Sequence, residues 1–111
     1  MTTDFVLVLT TLPASADAAG LAARLVEERL AACVNVLPPM ESVYRWKARI
    51  ERDTERQLVI KTAADRVDAL SARIHALHPY DVPELLVLPI LNGSASYLGW
   101  ITDSTRLQSE T

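Results

Sequence analysis

The sequence predicts an α+β domain with a ferredoxin-like β-α-β-β-α-β plan, extended by a long β-hairpin and a short C-terminal helix. Two observations predict this fold: apolar runs and alternating segments mark the strands, and two segments with helical apolar spacing lie between them. A chain of 111 residues has room for one domain. We assign residues 1–103 to that domain and expect residues 104–111 to be a flexible polar tail.

The first part of the chain predicts a strand, a helix and a second strand. Residues 5–9 are an unbroken apolar run, which is typical of a strand that is buried on both faces. A helix follows, and Ser15 or Asp17 is its expected N-cap. The residues that share its apolar face are Ala18, Leu21, Ala22 and Leu25. Residues 33–37 predict the second strand, which ends at two prolines.

The middle of the chain predicts a long hairpin. Its first strand alternates strictly, with Tyr44, Trp46, Ala48 and Ile50 on one face and Arg45, Lys47 and Arg49 on the other. The charged residues 51–55 are the expected turn. Residues 58–60 form the core of the fourth strand.

The remaining residues predict a second helix, a fifth strand and a short last helix. Thr62 and Asp65 match a capping box, and the apolar stripe after it consists of Val67, Leu70, Ile74 and Leu77. Residues 85–91 predict a buried strand. Pro89 places that strand at an edge or a bulge, because proline cannot donate a ladder hydrogen bond. Residues 94–101 form the last helix, which carries Tyr97 and Trp100.

The apolar character of the first and fifth strands predicts self-association. Both strands are apolar on both faces, yet the two helices of this fold cover only one face of the sheet. Exposed apolar surface of that extent usually marks an interface. We therefore expect contact between copies of the chain through the open face, and closed symmetry favours a ring.

Composition and charge exclude some classes of protein. The net charge of -3 and the pI near 5.3 argue against a nucleic-acid-binding protein. Cys33, the single cysteine, cannot form an intrachain disulfide, and a free thiol suits a reducing compartment. The first residues lack a basic segment, and the apolar run after them is too short for a signal sequence or a membrane span. We expect the chain in the cytoplasm.

The loop between the second helix and the fifth strand carries most of the chain's chemistry. It reads His78-Pro79-Tyr80-Asp81-Val82-Pro83-Glu84, and its two prolines stiffen the backbone. His75 and His78 have the spacing of a helical metal pair, but Pro79 disfavours helical geometry at His78. His78 remains a candidate ligand together with an oxygen or sulfur atom from a neighbouring subunit, and neutral imidazole suits Cu(II) and Zn(II).

Five separated motifs give the chain a specific resemblance to a known family. They are Glu28-Arg29-Leu30-Ala31-Ala32-Cys33-Val34-Asn35, Ser42-Val43-Tyr44-Arg45-Trp46, Ile60-Lys61-Thr62, the loop from His78 to Glu84, and Tyr97-Leu98 followed by Trp100. In these motifs, and over nearly its whole length, the chain resembles the CutA family of divalent-cation tolerance proteins. The resemblance implies a ferredoxin-like trimer similar in architecture to PII signalling proteins. It also implies a role in tolerance to copper and other divalent ions.

These observations lead to three functional hypotheses. The first is a trimer that binds divalent cations, with copper expected and zinc as the alternative; the candidate ligands are His78, Cys33, Glu84 and Asp81. Cys33 has the alternative role of a small buried hydrophobe. The second is a sensor that binds a small anionic ligand in a cleft between subunits, where the resemblance places Arg45, Trp46, Lys61, Tyr80, Glu84 and Trp100. The third is a structural trimer that acts as a scaffold.

We predict that the chain is not an enzyme. No nucleophile–base pair, phosphate-binding Walker loop or dinucleotide fingerprint occurs in the sequence. Asp81 and Glu84 resemble a pair of catalytic carboxylates only in their closeness along the sequence. We identify no histidine or serine that would work with them as a base or nucleophile.

Overall fold

The helices and strands follow one another in the order that the sequence predicts. The computed structural model describes residues 4–107. Its elements are β1 (Phe5–Pro13), α1 (Ala18–Glu27), β2 (Cys33–Val36), β3 (Met40–Trp46), β4 (Arg49–Ala63), α2 (Val67–Leu77), β5 (Leu86–Pro89) and α3 (Ala95–Ser104), with a 3-10 turn at Ala64–Arg66. Within this part of the chain, no helix is long and apolar enough to cross a membrane.

The strands form one antiparallel sheet with the ferredoxin-like strand order. Its order is β2-β4-β1-β5, and β3 pairs with residues 49–55 of β4. All four pairings are antiparallel. When β3 is set aside as the first arm of the hairpin, this is the strand order of a β-α-β-β-α-β domain, so the predicted fold class is confirmed.

The core lies between the sheet and the helices α1 and α2. Asp17 caps α1 by accepting a hydrogen bond from the Gly20 amide at 2.9 Å, which confirms one of the two predicted caps. The four residues predicted for the apolar face of α1 are all buried. Val8 of β1 and Ile60 of β4 face them and are almost completely buried. Because burial of one such side chain is worth about 1.5–3 kcal/mol, this layer fixes both helices on the sheet.

The hairpin β3–β4 turns earlier than the sequence predicts. The predicted turn at residues 51–55 is wrong, because Trp46 pairs with Arg49 across a two-residue turn at Lys47 and Ala48. Both turn residues have positive φ, at 50° and 65°, as a type I′ turn requires. Neither residue is Asn or Gly, so the turn lacks the usual sequence signature.

The position of this turn changes the faces of the hairpin. Arg45 pairs with Ile50, so these two side chains share one face. Tyr44 and Trp46 share the opposite face. The prediction that Tyr44, Trp46 and Ile50 lie on one face is therefore wrong. It continued the alternation of a single strand through the turn, whereas Ile50 belongs to β4.

The second helix begins later than predicted, although its apolar stripe is confirmed. Thr62 does not form a capping box, because it lies inside β4 and its hydroxyl donates to the Leu30 carbonyl at 2.8 Å. A 3-10 turn then leads into α2. The predicted stripe is confirmed: two of its members are fully buried and the other two pack against the core.

The lengths of β1 and β5 also differ from the prediction. β1 continues to Pro13, because residues 10–13 pair with residues 55–58 of β4. β5 lies at the edge of the sheet beside β1, which confirms the edge position inferred from Pro89. Leu86 and Leu88 are 54% and 39% exposed, so β5 is not buried on both faces within a single chain. The open face of the sheet therefore presents apolar side chains at this edge.

The last helix starts as predicted and ends later. Ser94 is its N-cap, and α3 runs through Ser104. Thr105 is fully buried, and Arg106 forms an ion pair with Asp65 at 2.7 Å. The predicted tail therefore begins too early at residue 104. Residues 108–111, the rest of that prediction, lie outside the described residues.

Candidate functional site

A cavity of about 630 Å³ lies between the hairpin β3–β4, β1 and the loop of residues 79–84. We call it the hairpin cavity. Its walls include three aromatic side chains and three carboxylates, which are Tyr44, Trp46, Tyr80, Glu55, Asp81 and Glu84. A volume of this size is typical of a small-ligand site, and a mixture of aromatic walls with a few polar groups is the usual lining.

His78 holds the loop of this cavity against β1. Its backbone is extended, at φ -81° and ψ 139°, and α2 ends at Leu77, as Pro79 requires. Nδ1 accepts a hydrogen bond from the Tyr80 amide at 3.0 Å, which leaves the ring proton on Nε2. Nε2 then donates to the Thr11 carbonyl at 2.6 Å. Both nitrogens of this buried ring are therefore engaged within the chain.

Two hydrogen bonds hold carboxylates at the cavity wall. The Tyr80 hydroxyl donates to Glu55 Oε2 at 2.9 Å, and Gln57 Nε2 donates to Glu84 Oε2 at 2.7 Å. Burial raises the pKa of Tyr80, and its hydrogen bond to Glu55 raises it further. Burial also raises the pKa of Glu84, and the negative charge of Glu55 acts in the same direction. The charge of Glu55 therefore disfavours the ionised form of Glu84 at the cavity wall.

Tyr44 is held at the rim of the cavity by a carboxylate of the opposite strand. Its hydroxyl donates to the carboxylate of Asp53 on β4. This hydrogen bond is the main cause that raises the pKa of Tyr44 to about 12. The phenol is neutral throughout the physiological range, and its hydrogen bond joins β3 to β4.

The replacement Glu84→Gln is expected to make the protein slightly more stable near neutral pH. The pKa of Glu84 is raised on folding, so its contribution to stability is complete below the unfolded pKa and is lost as pH rises through the folded value. Glutamine does not titrate and avoids that loss. The gain is expected to be below about 1 kcal/mol, because Glu84 is partly exposed.

Melting temperatures of the wild type and Glu84→Gln between about pH 4 and pH 8 measure this effect. We expect their difference to grow as pH rises. Asp68→Asn, an exposed carboxylate change on α2 away from the cavity, is the matched control. A difference that shrinks towards neutral pH would show that the charge of Glu84 stabilises the fold.

The structure does not bring the predicted metal ligands together within one chain. Asp81 and Glu84 line the hairpin cavity, whereas Cys33 pairs with Lys61 on the sheet. Lys61 is four residues beyond Gln57 along β4, a separation of roughly 13 Å at ~3.3 Å per residue. His78 has no free ring nitrogen. Within residues 4–107, no group of three His, Cys, Asp or Glu side chains could hold a metal ion.

The residues predicted to bind an anion fall into two separate groups. Trp46, Tyr80 and Glu84 line the hairpin cavity. Lys61 and Trp100 lie elsewhere, beside Tyr97: Lys61 Nζ is 6.0 Å from the Tyr97 ring centroid, and the Tyr97 and Trp100 centroids are 5.4 Å apart. Arg45 lies on the opposite face of β3 from Trp46. The lining that one chain supplies contains no Lys, Arg or His, so positive charge for an anion would have to come from another subunit.

Sequence reasoning missed Glu55, the most buried carboxylate of the cavity. It is 7% exposed, and the prediction had placed it in a turn. Period-two alternation continued backwards from Leu58 would have placed Glu55 and Gln57 on the open face of a longer strand. That pattern was missed, because the hairpin turn had been predicted at residues 51–55 and the fourth strand was therefore expected to begin after Glu55.

Comparison with known proteins identifies relatives over nearly the whole chain. A family model for the CutA1 divalent ion tolerance protein matches residues 6–104. The divalent-cation tolerance protein CutA of Thermus thermophilus is 46% identical over 98 residues, which are 88% of this chain and 95% of that protein. The divalent-cation tolerance protein CutA of Pectobacterium atrosepticum is 45% identical over 93% of this chain and 94% of its own length.

Solved structures agree with these sequence matches. The crystal structure of CutA1 from Oryza sativa superimposes with a TM-score of 0.90 at 42% identity, covering 96% of this chain and 98% of that one. The divalent cation tolerance protein of Thermus thermophilus gives a TM-score of 0.88 at 44% identity, over 92% of this chain and 99% of its own. The chain spans 59% of the rice protein named Protein CutA 1, chloroplastic, so that relative is a longer polypeptide.

Proposed function

The chain belongs to the CutA1 divalent ion tolerance protein family, and on this basis we propose that it acts as a homotrimer in tolerance to divalent metal ions. The similarity to divalent-cation tolerance proteins along nearly the full chain is the observation that carries the proposal. The apolar residues exposed on β5 support the homotrimer, because a single chain leaves them in water. The free thiol supports our placement of the protein in the cytoplasm.

The bound ion is proposed to contact more than one subunit. The described residues of a single chain do not provide a closed set of ligands, and this favours ligands shared across an interface. Cys33 is a half-buried free thiol at the start of β2, and a thiolate is a soft ligand that suits copper. Asp81 and Glu84, which belong to the loop of residues 78–84 and line the hairpin cavity, are candidate oxygen ligands. His78 is not among the proposed ligands, because both of its ring nitrogens are engaged within the chain.

Titration of Cu(II) into the tag-free protein by calorimetry, in competition with glycine, tests this proposal. We expect saturable binding with a whole number of ions per trimer. Cys33→Ser is expected to weaken Cu(II) binding by about tenfold or more, because a hydroxyl is a poor substitute for a thiolate. The control is Asp68→Asn, which removes a distant surface charge. Binding without fixed stoichiometry, or unchanged in Cys33→Ser, would contradict the proposed ligand.

A growth experiment tests tolerance separately from binding. A bacterium that lacks its own relative of this family is grown over a range of copper concentrations, with and without the chain. We expect the chain to restore growth at copper levels that inhibit the host. Growth that is the same with and without the chain would argue against a role in tolerance, whatever the calorimetry shows.

A further inference from the structure

We propose that Asn92 is a site of intramolecular deamidation, in which the backbone nitrogen of Gly93 displaces ammonia from the Asn92 side chain. Water is the co-reactant, and the products are aspartate and isoaspartate. This inference goes beyond a role in metal tolerance, because it concerns a covalent change that needs no bound ion. It rests on the residue that follows Asn92, on the hydrogen bonds of this segment and on the position of the side chain.

Asn92 is followed by glycine, the neighbour that favours ring closure. The reaction forms a five-membered succinimide ring from atoms of both residues, so the nitrogen of residue 93 must approach the side chain closely. Glycine has no Cβ to obstruct that approach, and its backbone adopts conformations that other residues rarely reach. The chain has two asparagines, and the other one, Asn35, precedes the β-branched Val36. The sequence therefore favours the reaction at Asn92 over Asn35.

Backbone hydrogen bonds do not hold the segment of residues 91–93. The strand β5 ends at Pro89, and the Ile90 amide donates to the Phe5 carbonyl at 3.0 Å. After that contact, no backbone hydrogen bond within the described residues 4–107 joins residues 91–93 to another part of the chain. Their dihedral angles can therefore change without breaking a ladder. Asn35 differs, because it lies in β2 and pairs with Val59 of β4.

The Asn92 side chain already lies beside the nitrogen that attacks it. The Gly93 amide donates to Asn92 Oδ1 at 2.8 Å. Cγ is one C=O bond from that oxygen, so it lies at most about 4.0 Å from the Gly93 nitrogen. Reacting atoms about 3–3.5 Å apart are in position for attack. Because the two groups belong to adjacent residues, the attack is intramolecular and needs no enzyme.

The reaction balances with water alone. A hydroxide ion or buffer base removes the Gly93 amide proton, and the nitrogen forms a bond to Asn92 Cγ. The bond from Cγ to Nδ2 then breaks, and Nδ2 leaves as ammonia with a proton from the solvent. Water opens the succinimide at Cγ to give aspartate, or at the backbone carbonyl carbon of residue 92 to give isoaspartate. One water is consumed, one ammonia is released, and nothing is oxidised or reduced.

The two products affect the start of α3 differently. Each places a carboxylate shortly before the Ser94 N-cap of a helix whose first turn contains no acidic residue. The positive end of the helix dipole favours that charge. Isoaspartate also lengthens the main chain by one carbon and displaces Gly93, which packs so closely that an added Cβ would lie 3.2 Å from Leu98 Cδ2. We therefore expect isoaspartate, and not aspartate, to loosen the start of α3.

Peptide mapping of the native full-length protein tests the proposal. The protein is incubated in buffers from neutral to mildly alkaline pH, and a sample digested at the start gives the background. Trypsin places the two asparagines in separate peptides, residues 30–45 and 74–106. We expect peptide 74–106 to gain the mass of an exchange of NH₂ for OH, faster at higher pH because the nitrogen must lose its proton. Peptide 30–45 is expected to stay unchanged.

Two variants assign the reaction to these atoms. Asn92→Gln is expected to slow the modification by about tenfold or more, because its longer side chain would have to close a six-membered ring. Gly93→Ala is expected to slow it as well, since its Cβ obstructs the approach. The nearest atoms to that Cβ belong to the flexible end of Leu98, which can shift, so this variant is expected to fold.

The same protein unfolded in urea is the positive control for the chemistry. If peptide 74–106 is modified in urea but not in the native assembly, a neighbouring subunit or the fold itself prevents the reaction, and the proposal is overturned. Equal rates in peptides 30–45 and 74–106, or in Asn92→Gln and the wild type, would also overturn it. None of these results bears on metal tolerance, because the calorimetric and growth experiments measure that function independently.

Discussion

Replacement of His78 with alanine is expected to lower the free energy of unfolding by about 2–4 kcal/mol and to leave Cu(II) affinity unchanged. The variant loses the buried hydrogen bond from Nε2 to the Thr11 carbonyl and the one that Nδ1 accepts from the Tyr80 amide. The two groups left behind lie in a largely enclosed position, so neither regains a full water partner. The ring also fills space beside Tyr80, at 4.8 Å between centroids.

Denaturant unfolding at matched protein concentration measures this change, because an oligomer's apparent stability depends on concentration. His75→Ala is the matched control. His75 lies on the exposed side of α2, and its ring contacts only the backbone of the preceding turn, so we expect a change below about 0.5 kcal/mol. The opposite result would be a His78→Ala variant of normal stability that binds Cu(II) less tightly. It would restore His78 to the set of metal ligands.

The contrast between the two histidines shows what the sequence could and could not predict. Pro79 correctly predicted that α2 ends before His78, because proline restricts the residue before it whatever the surroundings. The role of the imidazole depends on Thr11, 67 residues away in sequence. No local pattern records such a partner, so the sequence offered His78 as a candidate metal ligand and did not predict this hydrogen bond.

The same distinction explains the outcomes elsewhere in the fold. The apolar face of α1 and its Asp17 cap were predictable, because helix periodicity and capping are local. Thr62 was misassigned because the acceptor of its hydroxyl is Leu30, which is 32 residues away. The hairpin turn was misassigned because Lys47 and Ala48 adopt positive φ without the residues that usually favour it.

The candidate site was predicted in part for the same reason. The loop of residues 78–84 was identified from its unusual concentration of chemistry, and Tyr80, Asp81 and Glu84 do line the cavity. Glu55 was missed because its contribution depends on the register of the hairpin. Lys61 is far from the cavity along β4 and would join it only from another subunit. A single sequence does not specify that arrangement.

Replacement of Leu88 with glutamate is expected to convert the proposed trimer to a monomer at micromolar concentration. Leu88 lies on edge strand β5, paired with Leu7 of β1, and is 39% exposed in a single chain. Soluble proteins usually protect such an edge with charges, a bulge or a cover, and β5 has no charged residue between Leu86 and Pro89. A neighbouring subunit is the cover that we propose. An unpaired carboxylate buried there would cost about 3–5 kcal/mol, or roughly 10²–10⁴ in the dissociation constant.

Light scattering coupled to gel filtration measures this outcome, with Val26→Glu as the control. Val26 is 42% exposed on the outer side of α1, so it matches Leu88 in exposure. In both variants glutamate replaces an aliphatic residue, but Val26 lies on the helix side of the sheet. We expect Val26→Glu to remain a trimer. A trimeric Leu88→Glu protein with unchanged circular dichroism would show that β5 faces solvent in the assembly. The contact would then have to involve other exposed apolar groups, of which Val43 and Ile50 on the hairpin are the next candidates.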